Sequence, residues 1–136
     1  MRKINNIIIH CSATAENKSF TVSDIDRWHR QRGFDCIGYH YVIYLDGSIH
    51  TGRPIEKIGA HCKGHNADSI GICYIGGLAA DGKTPKDTRT AAQKSSLLAL
   101  LRQLRAQFPN AAIHGHRYFA AKACPSFDAT KEYANI

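Results

Sequence analysis

This 136-residue sequence predicts an α/β fold: a mixed central β-sheet with helices packed against it. Three features carry that expectation. The runs "INNIIIHC" and "SIGICYIGG" are short, apolar and rich in isoleucine, as strands buried on both faces are. The stretch "KSSLLALLRQLRAQF" puts Leu97, Leu100, Leu101 and Leu104 on one helical stripe. Between them, "IGYHYVIYLDGSIHTGR" alternates on either side of Asp-Gly, whose backbone suits the positive φ of a tight turn. A hairpin of that kind forbids an all-parallel sheet.

In chain order, "INNIIIHC" opens the sheet and runs into a polar loop, "SATAENKS". Thr21 stands where an N-cap belongs, with Asp24 three residues on, and Ile25, Trp28 and His29 follow at helical spacing up to a stop at Gly33. The hairpin comes next, with Tyr39 and Tyr41 expected on one strand face and His40 on the other. "SIGICYIGG" is a further strand ended by paired glycines, and "AADGKTPKD" a surface loop. Thr90 and Gln93 form a capping box for the leucine-striped helix, which Pro109 and Asn110 end. "AAIHGH" reads as a short last strand and "DATKEYA" as a closing helical turn. No linker or repeat divides the chain, so residues 1–136 are read as one domain.

Composition excludes more than it selects. The longest early apolar run, "NNIIIHC", is far too short to cross a bilayer, and no signal peptide is recognisable, which predicts synthesis in the cytoplasm without membrane insertion. The net charge of +7 is scattered, with no run of five or six basic residues, and fits a solvated surface as well as an anionic partner such as a wall polymer, nucleic acid or headgroups. Five cysteines at irregular spacing, with no CxxC pair, do not make a disulfide framework and read mostly as small buried hydrophobes. The absence of a P-loop, a dinucleotide fingerprint, HExxH and GxSxG removes the common nucleotide, zincin and serine-hydrolase readings.

Chemistry concentrates at the strand ends. His10 closes the first strand, where ligands gather in open α/β sheets. His116 follows the last strand, and Cys124 lies eight residues beyond it in "KACPSFD". Two histidines and a thiolate would fill three corners of a tetrahedral zinc site and leave the fourth for water. His114 is a rival ligand to His116. Lys122, two residues before the cysteine, would bring positive charge to a developing oxyanion. His50, His61 and His65 are expected in turns and loops, on the surface or in a substrate groove. Cys11 should face away from His10, into the core.

Four segments in order, "IIIHCSAT", "GYHYVIYLDGSIHTGR", "GAHCKGHNADSIGICYIGG" and "HRYFAAKACPSFD", resemble the zinc-dependent N-acetylmuramoyl-L-alanine amidases. The likeness is to their phage-lysozyme branch, which shares the type 2 amidase fold with peptidoglycan recognition proteins. The resemblance implies one catalytic Zn²⁺ held by His10, His116 and Cys124, with His116 preferred to His114 by its distance from Lys122. It implies Tyr39 and Lys122 as catalytic helpers and a groove along "AHCKGHN" in which His61 and Asn66 contact substrate. The implied reaction is hydrolysis of the amide between the lactyl group of N-acetylmuramic acid and L-alanine, in wall lysis or remodelling. The implied partner is peptidoglycan, with no direct nucleic-acid contact. Some phage relatives also inhibit an RNA polymerase, but no segment of this sequence can be matched to such a contact.

Overall fold

The isoleucine runs become neighbouring strands at the heart of the sheet. In the computed structural model, which describes residues 1–136, the first is β1 (Asn6–Cys11) and the second is β5 (Ser69–Tyr74). They pair in parallel, with Ile7 opposite Ile70 and His10 opposite Cys73. The hairpin strands are β3 (Tyr41–Ile43) and β4 (Ile49–Thr51), antiparallel to one another, and β7 (Ala112–Gly115) lies parallel to β1 on its other side. The sheet order is β4-β3-β5-β1-β7, mixed as expected. A second, two-stranded ladder joins β2 (Thr14–Ala15) to β6 (Gly77–Leu78) in parallel. The loop read in "SATAENKS" thus contains a short strand, which forms by pairing with a distant partner at the paired glycines.

Helices cover the two sheet faces unequally. Helix α2 (Ala91–Gln107) buries Leu97, Leu100, Leu101 and Leu104 against Ile7, Ile9, Ile70, Ile72 and Tyr74. Each fully buried leucine or isoleucine there contributes roughly 1.5–3 kcal/mol. The capping boxes at Thr21 and Thr90 both form. After α2, the short α3 (Ala129–Glu132) closes the same side. Arg89, buried, pairs there with Asp87 and Glu132, bonds to the Tyr133 hydroxyl and lies over the Phe127 ring at 3.4 Å. The opposite face is covered only in part. Helix α1 (Val22–Gln31) inserts Ile25 among Ile37, Val42, Cys73 and Ile75, leaving the β1 end of that face open.

The hairpin departs from strict alternation. Its regular ladder ends at the Tyr41–Thr51 pair, and beyond it Gly52 N–H donates to His40 O and Arg53 N–H to Tyr39 O along an irregular run. Tyr41 packs on the α2 side, as alternation from Val42 and Ile43 requires. Tyr39 and His40 both turn to the open side, with the Tyr39 ring 5.1 Å from His10 and the His40 ring 5.8 Å from His61. Tyr39 and Tyr41 therefore do not share a face. The chain here is pressed against the loop that follows β4: a Cβ on Gly38 would collide with the Ala60 carbonyl. His50 likewise sits in β4 rather than in a turn, stacked on Tyr44 at 3.7 Å.

Candidate metal centre and its cleft

The open end of the sheet is a cleft of about 860 Å³. β1 delivers His10 to its floor, buried, at the C-terminal end of a parallel strand. β7 ends at Gly115, and the 3-10 turn that follows (His116–Tyr118) brings in half-buried His116. The segment after that turn folds back, Arg117 N–H donating to Cys124 O, and brings Cys124 under both. The donor atoms of His10, His116 and Cys124 all lie within 4.8 Å of one another, and Cys124 Sγ is 3.8 Å from His10 Nδ1. His114 is elsewhere. It bonds through Nδ1 to Thr130 Oγ1 at 2.9 Å and stacks on Tyr118 at 3.8 Å.

Protonation favours ligation. Burial, reinforced by His61, His116 and Lys122, pushes His10 well below its ordinary pKa, and burial with Lys122 lowers His116, so both imidazoles are neutral at pH 7. The Cys11 thiol beside it, and burial, push the Cys124 thiol up, so binding a metal must displace its proton. The Cys11 N–H, 3.2 Å from Cys124 Sγ, stands ready to steady the resulting thiolate. The Cys11 side chain packs with the α2-side core as expected, but its thiol also abuts that of Cys124, and Cys11 lines the cleft.

The walls carry the remaining residues. Tyr39 stands between His10 and His29, with ring centroids 5.1 and 5.2 Å away. Burial and the neighbouring cysteines, Cys73 first, hold its phenol well above the ordinary value. Lys122 lines the rim with Arg32 and Lys63, and no carboxylate lines the cleft at all. His61 and Asn66 also line it, from the loop after β4. The Asn66 side-chain oxygen Oδ1 accepts from both His61 N–H and Cys62 N–H at 2.9 Å. Sequence reasoning missed two supports behind this wall, His29 and His40, whose Nδ1 atoms accept from Gly38 N–H at 2.8 Å and Gly71 N–H at 3.0 Å. Helical spacing placed His29 on the inner face of α1 but said nothing of what it would meet.

Two imidazoles and a thiol converging in a cationic cleft, at the end of a mixed sheet, form a donor set able to hold a metal ion, in the kind of pocket where hydrolases place their chemistry. The chain belongs to the N-acetylmuramoyl-L-alanine amidase family, whose model matches residues 1–127. It is 40% identical to an endolysin of Enterobacteria phage K11, over 93% of this chain and 83% of that protein. The endolysin of Escherichia phage T7 is 42% identical over 90% of this chain and 80% of its own length. Among solved structures, the N-acetylmuramoyl-L-alanine amidase LysC from Clostridium intestinale superposes with a TM-score of 0.81 at 32% identity, covering 96% of this chain and 82% of that one. No helix here is long and apolar enough to cross a membrane.

Proposed function

We propose that this protein is an endolysin-type amidase in which one zinc ion, held by His10, His116 and Cys124, serves hydrolysis of the bond between N-acetylmuramic acid and L-alanine. The observation that carries this reading is the convergence of those three donors within 4.8 Å, from residues far apart in sequence, at the floor of the largest cleft of an amidase-family chain. The donor set fits the ion. Zinc–nitrogen and zinc–sulfur bonds of about 2.0 and 2.3 Å put such tetrahedral ligands roughly 3.3–3.5 Å apart, near the 3.8 Å between Cys124 Sγ and His10 Nδ1, while the whole set lies within 4.8 Å and draws in slightly on binding. Three protein donors leave one position for substrate or water, as catalysis requires.

When bound, zinc polarises the scissile carbonyl and lowers the pKa of a water towards ~7. The chain's own residues supply the rest. Lys122 brings a positive charge to the rim, where the carbonyl oxygen becomes anionic in the transition state. Tyr39 remains protonated at neutral pH because burial opposes its ionisation, so it acts as a hydrogen-bond donor and orienting group rather than as a base. Arg32 and Lys63 suit the carboxylates of a stem peptide, and Asn66, whose amide nitrogen is uncommitted and which lines the cleft, is the candidate polar contact to it. The substrate is peptidoglycan in the wall.

The test is release of new L-alanine amino termini from purified peptidoglycan, with chelator and then with zinc restored. Release that chelator abolishes and zinc returns is the expected result. Sedimentation with the wall without any release would instead make the protein a recognition module on the amidase fold.

A further inference from the structure

His61 is read from the sequence as a substrate contact, yet both of its ring nitrogens are already engaged inside the protein. Nδ1 is 2.8 Å from His10 Nε2, and Nε2 is 3.2 Å from Ser69 Oγ, a side chain with no exposure. Its ring packs edge-on to His10, with centroids 4.8 Å apart at 89°. The ring also lies in a cradle that only glycine permits: a Cβ on Gly71 would come within 2.6 Å of it and one on Gly59 within 2.7 Å. The main chain of His61 is pinned by Asn66. A group that merely reaches into a groove for substrate needs none of this fixation.

We infer that His61 is a positioning residue for the metal centre, holding His10 in the tautomer and orientation that present Nδ1 to zinc. The inference rests on the zinc reading above. With the Nδ1 lone pair turned to the ion, the proton of a neutral His10 ring must sit on Nε2, and that N–H needs an acceptor. His61 Nδ1 is the acceptor in reach, which places the His61 proton on Nε2, donating to Ser69 Oγ. The chain from β5 through His61 to His10 therefore has one direction, fixed at its far end by a strand residue. Outer partners of this kind commonly change metal affinity about 10- to 100-fold when removed.

The experiment is zinc titration of the chelator-stripped protein against a chromophoric competitor, for the parent, His61→Ala, His61→Asn and Ser69→Ala, with thermal unfolding of each zinc-free form. The expected result is zinc affinity about 10- to 100-fold weaker in His61→Ala, largely restored in His61→Asn, whose Oδ1 can occupy the acceptor position. Ser69→Ala should show a smaller loss, and the zinc-free unfolding temperatures should not follow the affinities. Affinity in His61→Ala indistinguishable from the parent overturns the inference, and with a raised KM it returns His61 to substrate contact. Equal losses in His61→Ala and His61→Asn that follow the zinc-free unfolding temperatures also overturn it, by reducing His61 to packing. Failure of the parent itself to bind zinc defeats the metal reading, and is distinguishable because no variant is needed to see it.

Discussion

At the scale of single residues, the proposed roles divide the cleft into groups that hold the metal and groups that act on substrate, and substitutions should separate them. Tyr39→Phe keeps the ring beside His10 and removes only the hydroxyl. We expect kcat to fall roughly 10²–10³-fold, with zinc content and KM little changed. Lys122→Met should behave alike. Steady-state kinetics with metal analysis of the same samples checks both. His29 and His40 make a separate prediction about pH. Each accepts a backbone N–H at Nδ1, and burial, with nearby Arg32 and Arg53 for His29, lowers both to about 4 from an ordinary 6.5. The fold holds the neutral rings, so their contribution is fully present above pH 6.5 and is lost as pH falls from there through 4. Unfolding midpoints of the chelated protein should decline over that window, and less steeply in His40→Asn, where an amide oxygen can accept the Gly71 N–H without titrating.

At the scale of elements, legibility followed periodicity. The stripe Leu97, Leu100, Leu101 and Leu104 and both capping boxes could be read because each is set within one or two turns of chain. Thr90→Ala should cost about 1–2 kcal/mol in denaturant unfolding, since Thr90 Oγ1 accepts from Gln93 N–H and also donates to Leu45 O. His10, His116, Cys124, Tyr39 and Lys122 were singled out together by the four ordered segments more than by spacing, and the structure brings all five to one cleft. What was illegible depends on contacts between distant segments. The face of Tyr39 turns on where the hairpin ladder ends, which the loop around Ala60 decides. The pairing of β2 with β6 needs Gly77, sixty-odd residues away, and the partners of His61 need Gly59 and Gly71 to leave room for its ring.

At the scale of the whole molecule, the zinc reading links the metal thermodynamically to the fold. The three donors come from β1 and from the segment after β7, so an ion bound there ties the two ends of the sequence across the sheet centre. Zinc at a hundred times its dissociation constant should stabilise the chain by about 2.7 kcal/mol. Unfolding temperature should therefore rise with zinc in the parent and not in Cys124→Ser, with scanning calorimetry as the check. The same arrangement has a meaning for synthesis. His10 leaves the ribosome early, but its partner Cys124 is 114 residues further on, and β7 must slot in beside β1 before the two can meet. A nascent or truncated chain consequently has no assembled centre. On the zinc reading, the centre is completed only once the segment after β7, which carries His116 and Cys124, has folded back beside β1.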